Sequence, residues 1–169
     1  FSVSSANGID GIGGKPSISD DGQVIAFSLR SSTLPDYNTH NQIAVFDRGA
    51  IAGFELQLQS ETVGEVVGDY HSSNPVLSGD GRYVLYATNA PNLTGDPAAT
   101  VRRYLILRDR QTRTPTVASR RVDGSNVWVS NFGLALSRDG TALAFVADMV
   151  NMFIPGRLGE NQVFVAPGP

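Results

Sequence analysis

Five consecutive residues, Asp69-Tyr70-His71-Ser72-Ser73, set a carboxylate, an imidazole and two hydroxyls side by side, the groups an acyl-transfer triad uses. Triad partners converge in space rather than along the chain, and no Gly-x-Ser-x-Gly elbow occurs, so the run alone specifies no hydrolase. Asp36, Asn38 and Asn41 offer the oxygen ligands that calcium takes. The twelve-residue loop with its terminal Glu is missing, and a turn-stabilising role is expected instead. Gly8, Gly11, Gly13 and Gly14 suggest a phosphate cradle, but they follow only a short strand and open no helix. The absence of cysteine excludes a disulfide scaffold, a thiolate zinc site and a thiol nucleophile. No catalytic residue, metal site or cofactor is assigned, and the chain is read as a non-enzyme.

What must position any functional group is a repeat. Ser-x-Asp-Gly occurs at Ser19–Gly22, Ser78–Gly81 and Ser137–Gly140, with the serines 59 residues apart both times. Phe27, Tyr86 and Phe145 follow at one offset. A register kept over the whole chain signals units that bury their apolar faces only against their neighbours. Within each unit the pattern has period two between Gly, Pro, Asn and Asp clusters, which predicts strands. First strands are expected at Pro16 to Ser19, Pro75 to Ser78 and Gly133 to Ser137. Second strands are expected at Val24 to Ser28, Tyr83 to Ala87 and Ala142 to Val146, after an Asp-Gly hairpin. Third strands are expected at Gln42 to Phe46, Tyr104 to Leu107 and Gln162 to Val165. Fourth strands are expected in two units only, at Phe54 to Leu58 and Pro115 to Ala118. No amphipathic helix of useful length is predicted. The fold class is therefore all-β, as four-stranded antiparallel propeller blades, with a sandwich as the rival. One propeller region spans 1–169, with blades near 15–59, 75–119 and 133–166.

The run from Pro75 to Asp96 and the run Leu107-Arg-Asp-Arg-Gln-Thr112 resemble the TolB-type propeller repeat. Its blades read Pro-x-hydrophobic-Ser-x-Asp-Gly, a β-run ending in an aromatic, an Asn-Leu loop, then a strand ending in Asp-Arg. The second unit is nearest to this pattern. The first and third keep the Asp-Gly hairpin and its aromatic but lack the Asn-Leu-x-x-Gly-Asp loop. The resemblance implies a bacterial β-propeller serving as a binding platform, and leaves the ligand open.

The third unit holds three strands before Val165-Ala-Pro-Gly-Pro169, whereas Phe1-Ser2-Val3-Ser4 has no unit of its own, so residues 1–5 are expected as the outer strand of an incomplete blade. Strand exchange is therefore expected between Phe1, Ser2, Val3 and Ser4 and the third-unit strand holding Val163, Phe164 and Val165. Three blades fall short of a closed ring, so either a second copy or further blades complete it. The long connections all leave one face, including Ser5 to Lys15, Ser60 to Asn74 and Ser119 to Phe132, and long loops on a rigid scaffold carry function. The interaction residues expected there are Tyr37, His40, Tyr70, His71, Trp128, Met149, Met152 and Phe153.

A protein partner or homo-oligomer is expected from this arrangement. The net charge of −3 carries no basic stripe, which argues against nucleic acid. Arg102, Arg103, Arg108, Arg110 and Arg113 cluster but read as a solvated strand edge. No apolar run is long enough to span a bilayer, so membrane insertion is not expected. Starting at Phe1 reads as a processed or partial product. Composition and resemblance together suggest a periplasmic or extracellular setting. A propeller-based hydrolase or glycosidase, with carboxylates in the channel, and a structural subunit of an extracellular assembly are the alternatives.

Overall fold

The computed structural model describes residues 9–31, 40–51, 56–120, 124–129, 133–148 and 161–168. Three antiparallel sheets follow one another along the chain. The first contains β1 (Ile9–Ile18), β2 (Val24–Ser31), β3 (Gln42–Asp47) and β4 (Leu56–Leu58), hydrogen-bonded in that order. The second repeats the meander with β5 (Ser72–Leu77), β6 (Tyr83–Thr88), β7 (Tyr104–Asp109) and β8 (Thr114–Val117). The third has β9 (Leu134–Leu136), β10 (Ala142–Asp148) and β11 (Asn161–Pro167). The propeller-blade expectation therefore holds, and the third blade has three strands among the described residues.

Several boundaries differ from expectation. The glycine-rich segment expected as connection is strand: β1 begins at Ile9 and pairs with β2 through two register shifts, between Ile9 and Gly11 and between Gly13 and Ser17. Glycine disfavours regular strand but accommodates bulges, which is how this segment stays paired. The connection between β6 and β7 contains a single α-turn over Pro91–Thr94 and a 3-10 turn over Pro97–Val101, where only irregular loop was expected. Proline opens each turn, and the Asp96 side chain accepts the Ala98 N–H at 2.9 Å to cap the second.

The repeated tetrapeptide closes each β-hairpin by one mechanism. Ser78 Oγ accepts the Tyr83 N–H at 2.9 Å and donates to Asp80 Oδ1 at 2.6 Å. Ser19 with Val24 and Asp21, and Ser137 with Ala142 and Asp139, repeat both bonds. The serine hydroxyl thus satisfies a backbone donor while the aspartate holds the hydroxyl. The glycine supplies a positive φ of 69° at Gly81. A Cβ there would also stand 2.8 Å from Val24 Cγ2 of the neighbouring blade. Replacing Gly81 with alanine is therefore expected to cost about 2 kcal/mol, from backbone strain plus overpacking, read as a lowered denaturant midpoint at unchanged slope.

The turns also chain the blades together at their inner ends. Asp20 N–H donates to Gly79 O at 2.9 Å, and Gly79 N–H donates to Arg138 O at 2.8 Å. Arg138 Nε lies 2.6 Å from Asp20 Oδ2, so an ion pair links the first blade to the third across Gly79. A Cβ at Gly79 would meet the Asp20 carboxylate and the Arg138 side chain, so a larger residue there would displace this pair.

Strand alternation sends successive side chains to opposite sheet faces, and the middle blade buries both. Val84 and Tyr86 join Val24, Ala26, Ile43 and Val45 in the core between the first two blades. Leu85 and Ala87 join Leu143, Phe145 and Ala147 in the core between the second and third. This two-sided burial explains the continuous apolar run from Tyr83 to Ala87.

It also overturns the solvated reading of two arginines. Arg108 is 1% exposed on β7; its guanidinium donates to Glu61 O at 2.6 Å and lies 3.5 Å from Glu61 Oε2. Arg110 reaches Asp47 Oδ2 of the first blade at 2.7 Å. Both tie the first blade, or its link, to the second. Arg102 and Arg113 are exposed as expected, paired with Asp96 and Glu65 respectively.

Candidate functional site

Three of the expected interaction residues meet on the face that carries the long connections. His40 precedes β3 of the first blade, while Tyr70 and His71 precede β5 of the second. The His40 ring centroid lies 4.4 Å from that of Tyr70 and 4.5 Å from that of His71. Tyr70 packs against the core between the two blades, which fixes the cluster at their seam. The backbone places His71 as well: Ser72 N–H donates to Asn41 O, and Asn89 N–H donates to His71 O, both at 2.8 Å.

The proton positions of the pair follow from its partners. Asn41 N–H donates to His71 Nδ1 at 3.1 Å, so the neutral His71 ring carries its proton on Nε2. That nitrogen is 3.2 Å from His40 Nδ1, which must accept, leaving the His40 proton on Nε2. Burial, then the neighbouring His40, Arg103 and Arg30, hold the His71 pKa below the usual imidazole value. Metal chelation between the two rings is disfavoured, because His71 Nε2 holds a proton while its other nitrogen accepts the Asn41 N–H.

Trp128 lies on the next connection. Val127 and Val129 are 1% and 4% exposed, whereas Trp128 between them is 40% exposed. The extended alternation turns the indole away from the seam that takes the valines. Val129 N–H donates to Arg103 O at 2.7 Å, placing the tryptophan segment beside Arg103. Sequence inspection passed over Arg103 because it stands in a cluster whose members have different fates. Tyr37, Met149, Met152 and Phe153 lie outside the described residues, as do Phe1, Ser2, Val3 and Ser4. The Asp-His-Ser run forms no triad: His71 pairs with His40, Asp69 faces Asn92, and Ser72 Oγ bonds to Thr88 Oγ1 at 2.9 Å.

A second candidate surface is the outer edge of the third blade. Within the described residues β11 is paired with β10 alone. Phe164 and Ala166 face the second blade and pack into the shared core, while Val163 and Val165 are 71% and 75% exposed on the opposite face. Between β8 and β11 a cavity of about 700 Å³ opens, floored by Tyr83, Leu107, Leu143, Phe145 and Phe164 and flanked by Thr116. It occupies the wedge between neighbouring blades beside the open rim of the third.

No family model and no curated protein matches the chain by sequence. Solved structures do match it. TolB from Acinetobacter baumannii superposes with a TM-score of 0.55 at 16% identity, covering 93% of this chain and 30% of that one. The β-propeller domain of the Trilobed protease from Pyrococcus furiosus, described as having an open velcro topology, superposes with a TM-score of 0.56 at 14% identity. That match covers 93% of this chain and 38% of the other, so the chain spans about a third of the length of these structures. At such identities the likeness carries the fold and no activity. The chain folds as three consecutive blades of a TolB-like β-propeller.

Proposed function

We propose that the chain is a non-enzymatic propeller module for protein–protein interaction or assembly, working in the bacterial periplasm or outside the cell. The observation that carries this reading is the rim of the third blade, where a strand paired with β10 alone among the described residues borders an apolar wedge. An edge strand offers backbone donors and acceptors to any incoming strand, and pockets beside it select side chains. The sheet faces at the two ends of the arc support the same reading. On the first blade, Ile18, Ile25, Phe46 and Leu56 are register partners in one row, with Ile18 59% and Leu56 41% exposed. Val163 and Val165 present the corresponding apolar face on the third. On the first blade that face already buries Phe27, Leu29 and Ala44, so what it leaves open is the Ile18 and Leu56 end of the row, while Val163 and Val165 stay open on the third.

Phe1-Ser2-Val3-Ser4 has the alternation an added outer strand needs: Phe1 and Val3 would face one side and the serines the other. Lent by a second copy, it would join two arcs head to tail through a twofold axis, an interface that closes on itself. Further blades of a longer chain would fill the same surfaces. Sedimentation of the native protein tests the assembly. The expected result is self-association, at a mass of twice 18.0 kDa for a pair, that Val165→Lys weakens at least tenfold. A monodisperse monomer at every concentration contradicts it.

A hydrolase-associated propeller is the second reading, favoured by the likeness to a protease's propeller domain. It requires carboxylates converging on the channel. Of the acids at the inner turns, Asp20 is paired with Arg138, and Asp21, Asp80 and Asp139 are bonded to the motif serines.

A further inference from the structure

Arg103 is a half-buried cation without a countercharge. Its Nε donates to Asn89 Oδ1 at 3.3 Å, and no carboxylate among the described residues pairs with it. Burial lowers its pKa, and no neighbouring acid opposes that shift. Buried charge is ordinarily paired, because leaving water costs more than an unpaired group recovers. The other half-buried or buried arginines differ: Arg108 has Glu61, Arg110 has Asp47 and Arg82 has Asp109.

The surroundings are cationic as well. Asn89 joins Arg103 to His71, through its side chain on one side and its backbone N–H on the other. Asn41 joins His71 to the first blade, where Arg30, next to the end of β2, has no ion-pair partner among the described residues. Among the described residues, Arg103 and Arg30 are the cations that act on His71. Two nearby acids are engaged elsewhere: Asp69 faces Asn92, and Asp96 is held by Tyr104 and Arg102. Tyr70 stands in this rim against both histidines, and Trp128, 40% exposed, is adjacent in the chain to Val129, whose N–H donates to Arg103 O.

We infer that the rim joining the first two blades on the long-connection face binds a carboxylate presented by a peptide, with Arg103 and Arg30 as its cationic walls, His40 and His71 between them, and Tyr70 and Trp128 receiving an adjacent apolar residue. This deepens the interaction reading and rests on it, supplying the chemistry of the partner at that face. A guanidinium donates in a plane that matches a carboxylate, and the aromatic rings add the apolar contact typical of interface anchors.

The histidine pair makes the site sensitive to pH. Both rings are neutral in the observed arrangement, and each Nδ1 already accepts an N–H. A further proton on either ring must therefore break the His71–His40 bond or the Asn41–His71 bond. A bound carboxylate compensates the added charge, so proton and ligand favour each other. His40, His71, Arg30, Arg103, Tyr70 and Asp69 are the titratable groups of this rim.

Trp128 is the sole tryptophan and neighbours the residue bonded to Arg103, so its emission is the readout. The native protein is titrated with two blocked hexapeptides that differ only in a central Leu-Asp or Leu-Asn pair, and separately with inorganic phosphate. The Leu-Asp peptide is expected to bind at least tenfold more tightly than Leu-Asn, and to gain about threefold between pH 7.5 and 5.5. Arg103→Gln should erase the preference, Arg103→Lys should keep part of it, and His40→Gln should flatten the pH dependence. Equal binding of both peptides to the unaltered protein overturns the inference without any variant having to fold. Phosphate binding as tight as that of the Leu-Asp peptide overturns the peptide assignment in favour of a free anion. Failure here alongside intact, edge-dependent self-association removes this site alone; failure of both removes the interaction reading.

Discussion

Replacing Phe145 with alanine is expected to release the third blade while leaving the first two folded. The ring is 2% exposed and packs against Phe164 with centroids 5.8 Å apart. Truncating a buried phenylalanine costs about 3–5 kcal/mol, through lost transfer free energy plus the cavity left behind. Here the ring also lines the wedge, so truncation enlarges an existing cavity, which favours the lower end, about 3 kcal/mol. Phe145 belongs to the core between blades two and three and not to the core between blades one and two. Stacked units lose stability locally, unit by unit and interface by interface. Native-state hydrogen exchange should therefore show β9, β10 and β11 losing protection while β2, β3, β6 and β7 keep most of theirs. A uniform loss would mean that the arc folds as one indivisible body.

Replacing Arg108 is expected to destabilise the first seam by about 2–3 kcal/mol and to give the protein a new pH dependence. Breaking a buried pair leaves its partner uncompensated, and here that partner is Glu61, whose side chain is 12% exposed. Burial already raises the Glu61 pKa, and Arg108 is the chief opposing influence. Without the guanidinium the carboxyl moves further up. A carboxyl whose folded pKa lies above its unfolded value of 4.5 is comfortable while protonated, so stability is full below that value and falls as pH rises through the folded pKa. Arg108→Met should accordingly be less stable at pH 8 than at pH 5, measured as denaturant midpoints. Adding Glu61→Leu should restore much of the loss and remove the pH dependence, because an apolar pair of similar volume carries no desolvation penalty. A single variant with a flat pH profile would show that Glu61 turns to solvent instead.

The blades were legible in the sequence because their hairpins are local. Ser78, Asp80 and Gly81 each act on a backbone group within five residues, and such a device must recur wherever the hairpin recurs. The fate of the arginines was not legible. Arg108 and Arg110 share a strand end with Asp109, and only the arrival of Glu61 and Asp47 from other segments decides that they are enclosed. Side-chain alternation announces which residues share a face but not whether a neighbouring blade covers it. His40 and His71 are 31 positions apart, and no periodicity links them; the two-bladed seam does. The glycines at the start of β1 misled for a different reason. Glycine lowers strand propensity, yet the bulged ladder tolerates what a regular one would reject.

Hydrogen exchange along β11 bears most directly on the claim that this three-bladed arc is built to be completed by an added strand. Amides that pair with β10 should be protected under all conditions. In a dilute sample those amides of residues 161–163, 165 and 166 that point away from β10 should exchange freely. They should become protected as concentration rises or when a peptide spanning Phe1 to Ser4 is added. Free exchange at that edge under every condition, with the wedge beside it still filled by water, would contradict the account.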